Sequence, residues 1–101
     1  MKTLLNLSVA VIFSTLASVS FAGDAAAGKA KSMTCAGCHG ANGISNNPMW
    51  PNLAGQKQAY LASSLQMYRD GRRKNAMMSA MAKNLTDADI ANLAAYYSGL
   101  K

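Results

Sequence analysis

Thr34-Cys35-Ala36-Gly37-Cys38-His39-Gly40 is the stretch on which the reading of this sequence turns. It holds both cysteines of the chain and its single histidine. Three chemistries compete for a C-x-x-C-H pattern. A disulfide is the ordinary fate of two cysteines in an oxidising compartment, but it leaves His39 without a role. A thioredoxin-like redox pair needs strands alternating with helices around it. Covalent haem attachment uses all three side chains. Each thiol adds to one vinyl group, the short spacer holds both at the porphyrin edge, and the next residue presents its imidazole to the iron. A zinc site would need two further ligands, and no other Cys or His exists to supply them.

Outward from the motif the pattern is helical, with no convincing strand. Asp24 is a good N-cap, and Ala25, Ala26, Ala27, Lys29, Ala30 and Lys31 favour a first helix ending near Thr34 or Cys35. Gly37, Gly40 and Gly43, then Asn46-Asn47-Pro48 and Trp50-Pro51-Asn52, make residues 37–56 read as a long loop. A loop of that length argues against a compact domain unless something fills it, and a haem edge would. Ala59, Tyr60, Leu61, Leu65 and Tyr68 recur at helical spacing over about Gln56 to Asp70, with Gly71 as the stop. A basic connector, Arg72-Arg73-Lys74-Asn75, leads into the short apolar stretch Ala76 to Ala82, good for one or two turns. The last helix carries the clearest signature. Thr86 to Asp89 resembles a capping box with Asp for Glu, Leu85 and Ile90 suit a hydrophobic staple, and Ile90, Leu93, Ala94 and Tyr97 form one face before Gly99.

The chain's start reads as a targeting segment, not as fold. Lys2 supplies a positive charge, an apolar run extends from Leu4 to Leu16, and Ser20-Phe21-Ala22 fits a signal-peptidase site. The expected division is a signal peptide over residues 1–22 and one domain over 23–101. An uncleaved anchor is the alternative, diluted by Asn6, Ser8, Ser14, Ser18 and Ser20. Export places the domain in the periplasm, where haem is attached to such motifs. The domain has nine Lys and Arg against four Asp and no Glu. Two haem propionates would bring that surplus down to roughly +3. A basic exported surface suits acidic partner proteins or anionic surfaces and argues against nucleic acid. A domain of this length buries little apolar surface unaided, and a bound cofactor would add to its core.

The motif, the export signal and the helical pattern agree on haem attachment. With these residues in view the sequence resembles the small bacterial class I c-type cytochromes of the cytochrome c-553 kind, over nearly all of residues 23–101. Gly23-Asp24 and Gly28 resemble the start of that family's first helix. Pro51-Asn52-Leu53-Ala54-Gly55-Gln56 resembles its loop on the histidine side, and Met77-Met78 followed by Leu85 to Ile90 resembles its methionine segment and final helix. The resemblance implies an all-α cytochrome c fold of about four short helices wrapped around one covalent haem c. It implies that the Pro51 carbonyl accepts the second N–H of His39, which orients the ring. It also implies a methionine as second axial ligand of the iron. His39 is the only histidine, so two histidine ligands from one chain are excluded. Met33, Met49, Met67, Met77, Met78 and Met81 are the candidates, and the ordinary role of each is to fill gaps in a core. In the resembled family the ligand lies seven residues before the Leu that opens the last helix. That count points to Met78, with Met77 and Met81 as alternatives.

The expected function is electron transport without catalysis: a soluble carrier shuttling single electrons between respiratory partners. Its partners are expected to be redox proteins with acidic docking surfaces, with transient contact with a membrane-bound oxidase or reductase. Arg69, Arg72, Arg73 and Lys74 cluster near the expected methionine side and offer a docking patch, or a merely solvated connector. A different class of reading makes the chain the small cytochrome subunit of an exported dehydrogenase. A third, a haem sensor or peroxidase, requires an iron that no Met holds.

Overall fold

Asp24 starts the first helix by turning its carboxylate onto the backbone N–H groups of Ala26 and Ala27, which satisfies donors that a first helical turn leaves unpaired. The structure is a computed structural model. It describes residues 23–101 together with Ser8 and Ala10. The signal peptide expected over residues 1–22 otherwise lies outside the described residues. The described residues form helices and connecting loops, with no strand. Five α-helices follow in order: α1 (Ala25–Lys31), α2 (Ala36–His39), α3 (Gln58–Asp70), α4 (Ala76–Ala82) and α5 (Asp87–Ser98). A 3₁₀ turn, Ser32–Thr34, joins α1 to α2.

The sequence pattern misses one of these. The helical run does not stop near Cys35 but tightens and resumes as α2, which carries the C-x-x-C-H motif on a turn of its own. The reason is the stop signal: Gly37 tolerates helix at modest cost, and the break comes only at Gly40, whose φ is 89°. A Cβ at Gly40 would lie 1.9 Å from the Ile44 carbonyl oxygen, so the chain can reverse there only on glycine. At the other end of the chain the expected capping box is present. The Thr86 hydroxyl accepts from the Asp89 N–H, and the Asp89 carboxylate accepts from the Thr86 N–H, each at 3.0 Å.

The core lies where α5 crosses α1 and packs against α3. Ile90 and Leu93 are fully buried, each worth roughly 1.5–3 kcal/mol of apolar burial. Leu61 from α3 joins Leu93, Ala94 and Tyr97 from α5, and Cys35, Leu53, Leu65, Leu85 and Leu100 close over them. The crossing depends on Gly28. A Cβ there would sit 2.0 Å from the Asn92 carbonyl oxygen and 2.8 Å from the Tyr96 Cβ. The Asp24 N–H donating to the Asn92 side chain at 2.8 Å, and the Lys31–Asp89 ion pair at 3.5 Å, fix the same crossing at its two ends.

Gly28→Ala should therefore force α1 off α5. The expected loss is at or above the ~3 kcal/mol upper end usual for overpacked cores, read as a fall in thermal midpoint; an unchanged midpoint would contradict the crossing. A second expectation concerns acid. The Asp89 carboxylate is held below the ordinary aspartate value, first by the Thr86 backbone N–H and then by the Thr86 hydroxyl and Lys31. A depressed carboxylate stabilises the fold above its unfolded pKa, about 3.9, and loses that contribution as pH falls through the folded value. The stability gap between wild type and Asp89→Asn should be widest near pH 6 and should close below about pH 4. A gap that stays constant down to pH 3 would contradict the carboxylate's role.

Candidate haem-binding site

The C-x-x-C-H turn is built so that its three side chains are held unequally. Cys35, at the head of α2, is half-buried against the Tyr97 side of the core, whereas Cys38 is exposed. The two thiols are not joined to each other. Burial pushes the Cys35 thiol up, a negative charge on Cys38 would push it the same way, and contacts with Thr34 and Tyr97 oppose them. Thr34 Oγ1 lies 4.0 Å from Cys35 Sγ. Tyr97 is buried, its phenol also raised chiefly by burial, and its ring packs tilted against Tyr96 at 5.0 Å.

His39 ends α2 and is buried, 7% exposed. Its Nδ1 lies 2.8 Å from the Pro51 carbonyl oxygen. A carbonyl can only accept, so Nδ1 carries the proton. Nε2 of the neutral ring is then the nitrogen with a free lone pair. Among the described residues no group of three or more His, Cys, Asp or Glu gathers as a metal site, which leaves the zinc alternative without ligands. Two free thiols one helical turn apart, followed by an oriented imidazole, fit the attachment points and one axial bond of a haem c.

The loop that supplies Pro51 is not slack. Gly43 takes a φ of 77°, and its carbonyl accepts from both the Leu53 and the Ala54 N–H. The Asn52 side chain accepts from the Ser45 N–H at 2.7 Å, and the Ser45 hydroxyl donates to the Cys38 carbonyl at 3.3 Å and the Asn47 carbonyl at 2.9 Å. The Gly55 N–H donates to the Tyr97 carbonyl at 2.9 Å. Its own polar groups thus brace the loop that the sequence expects a haem edge to fill. The sequence marks Asn52 only as a turn residue and gives Ser45 no role; an Asn directly after Pro51 is the signal for the bracing bond, since Asn side chains often bond nearby backbone.

The methionine segment lies between α3 and α5. Asn75 caps α4, its side chain accepting from the Met78 N–H at 3.0 Å. Met78 is half-buried, Met77 and Met81 are 54% and 47% exposed, and Ala82 is fully buried. Met33 and Met49 are more exposed still. The basic cluster proves largely occupied. Arg69 pairs with Asp87 and Asp70, and Arg72 pairs with Asp70. Arg73 donates to the Ser64 hydroxyl and lies 4.7 Å over the Tyr68 ring, and it holds the exposed Tyr60 phenol below its ordinary value.

Residues 25–101 match the model of the family "Cytochrome c". The chain is 55% identical over 80 residues to cytochrome c-554(548) of Halomonas halodenitrificans, covering 76% of this chain and 96% of that one. It is 46% identical over 80 residues to cytochrome c4 of Pseudomonas aeruginosa, covering 79% of this chain but 40% of the relative. The solved structure of reduced cytochrome c4 from Pseudomonas stutzeri superposes with a TM-score of 0.75 at 40% identity, over 79% of this chain and 47% of that one. The chain thus spans less than half the length of these cytochromes c4, and nearly all of cytochrome c-554(548). Fold, family match and relatives agree with the chemistry of Cys35, Cys38 and His39: the chain belongs to the cytochrome c family, and is a small, all-helical electron-transfer cytochrome with covalently bound haem c.

Proposed function

We propose that this chain is an exported, diffusible carrier of single electrons, with Cys35 and Cys38 as the thioether attachment points and His39 and Met78 as the axial ligands of one haem. The His39 Nδ1–Pro51 bond is the observation that carries the reading, because it leaves Nε2 available and fixes the ring that bears it. When bound, the haem supplies a one-electron ferric/ferrous couple. The residues do the rest. Pro51 holds the imidazole in one tautomer. Asn75 ties down the backbone of Met78. A thioether ligand favours the ferrous state and raises the potential. Half-burial and the Asn75 contact support Met78 over the more exposed Met77 and Met81. With His39 and Met78 both bound, the iron would have no open site for substrate, which supports a carrier over an enzyme.

Export follows from the leader-like residues 1–22, with cleavage after Ala22 and residence in the periplasm. No helix among the described residues is long and apolar enough to cross a membrane. The excess of Lys and Arg over Asp supports redox partners with acidic docking surfaces. Since Arg69 and Arg72 are paired with Asp70 and Asp87, Arg73 and the lysines carry more of that attraction.

A second reading has its own observation. Between α3 and α5 an open groove of about 670 Å³ is lined by Ala59, Ala62, Ile90, Ala91 and Ala94 together with Gln58, Gln66 and Asp87. A mixed groove of this kind offers a partner both apolar contact and hydrogen bonds. Two relatives carry such names: a thiosulfate dehydrogenase electron acceptor of Thiomonas intermedia, 47% identical, and the cytochrome subunit of a sulfide dehydrogenase of Chlorobaculum tepidum, 33% identical. On this reading the chain is the small cytochrome subunit of an exported dehydrogenase.

The ligand set is tested on protein made with haem-maturation machinery. Wild type should show one covalent haem by intact mass and a ferric Fe–S charge-transfer band in the far red. Met78→Ala should abolish the band, lower the potential and admit cyanide. Met77→Ala and Met81→Ala should keep it, each losing less than the ~2–5 kcal/mol typical of a truncated buried Met, since both are about half exposed. A band that survives in Met78→Ala and vanishes in one of the other two moves the ligand to that residue. A wild type without the band contradicts methionine ligation altogether.

A further inference from the structure

Arg69 stands in the last turn of α3, yet its side chain does not point freely into solvent. Its Nη1 donates to the Leu85 carbonyl at 3.2 Å, its Nη2 lies 2.8 Å from the Asp87 carboxylate, and its Nε lies 3.6 Å from Asp70. Asp70 is the residue after it on α3. Leu85 and Asp87 flank the N-cap of α5. One guanidinium therefore ties the point where the chain leaves α3 to the point where it enters α5. Everything between them is the segment that carries α4 and Met78. We propose that Arg69 is a positioning residue, a clasp across the base of residues 70–86 that keeps the Met78 sulfur on the iron. This rests on the assignment of Met78 as axial ligand.

The physical case is one of local opening. A sulfur ligand leaves when its segment swings out, and segments with few internal anchors open at low free-energy cost. Within 71–84 the anchors are few: the Asn75 cap, buried Ala82, the Arg73 N–H donating to the Met67 carbonyl, and the Arg73 side chain on Ser64 and the Tyr68 ring. These hold the entry and the middle. The Leu85–Asp87 exit is held by Leu85 packing on the core that Leu61 of α3 shares, and its polar tie to α3 is Arg69. Closing the base of a loop restricts how far its middle can move. A planar fork with donors in fixed directions can hold a carbonyl and a carboxylate at once, whereas an ammonium is a point charge and does so poorly. Asp87 is 78% exposed on its side chain, so its share of the clasp is weakened by salt, while the Leu85 contact is not.

The test is cyanide binding to the ferric holoprotein, whose rate reports how often the sixth position opens. Arg69→Ala should bind cyanide at least tenfold faster than wild type, with haem attachment intact and the Fe–S band fading at lower temperature. Arg69→Lys and Asp87→Asn should fall in between, and they carry the test if Arg69→Ala does not assemble. Lys31→Ala, which removes the α1–α5 ion pair away from the segment, should leave the rate within about twofold, a comparison that separates a clasp from general loosening. A wild-type rate in Arg69→Ala overturns the proposal, as does an equal acceleration in Lys31→Ala. The Met78 assignment fails by a different sign, survival of the Fe–S band in Met78→Ala, so the two can be told apart.

Discussion

The hydrogen bond from His39 Nδ1 to the Pro51 carbonyl is the constraint on which the rest of the site depends. A lone histidine on a four-residue helix has little to hold its ring. Left alone, it could present either nitrogen, and the two tautomers would bind metal in different places. A proline carbonyl at 2.8 Å removes the choice, and it also raises the basicity of the nitrogen that remains. The bond spans twelve residues, so it commits the loop as well as the ring. Gly40 makes the reversal after α2, Gly43 accepts two backbone donors, and Asn52 pins Ser45, which returns a hydroxyl to the Cys38 carbonyl. The motif and the loop are in effect one polar unit.

The helical frame serves this unit by closing over its other side. Because Gly28 lets α1 lie directly on α5, Tyr97 is buried and meets Cys35, and its carbonyl receives the Gly55 N–H at the far end of the loop. One residue of the last helix thus touches both the attachment turn and the loop that orients the histidine. The thiols are left in unlike settings, Cys35 against the core and Cys38 toward solvent. On the opposite flank α4 is small and anchored chiefly by buried Ala82, which suits the ligand role proposed for Met78.

Much of this was legible in the residues. The caps at Asp24 and Thr86, the period of α3 and α5, and the all-helical class follow from local rules that tertiary structure had no reason to override. C-x-x-C-H named the chemistry because few arrangements use all three side chains. What was not legible were the partners of polar groups brought together over distance. Arg69 read as one of a run of basic residues, and nothing in the run says that its guanidinium would turn back to Leu85 and Asp87. The bracing of the 40–55 loop was hidden for the same reason: Ser, Asn and Gly signal a turn, but their pairing is set by the fold. The helical turn on the motif itself was missed because Gly37 looked like a breaker, and its open surroundings let it stay helical.

Since the chain has one histidine, nitrogen-15 NMR of the labelled ferrous holoprotein reads the central constraint without ambiguity. The imidazole should show a single bound proton on Nδ1, slow to exchange with solvent and close in space to Pro51, with Nε2 unprotonated and shifted by the iron. A ring protonated on Nε2, or an Nδ1 proton that exchanges as freely as in an exposed histidine, would contradict the orientation of His39 by Pro51 and with it the site as described.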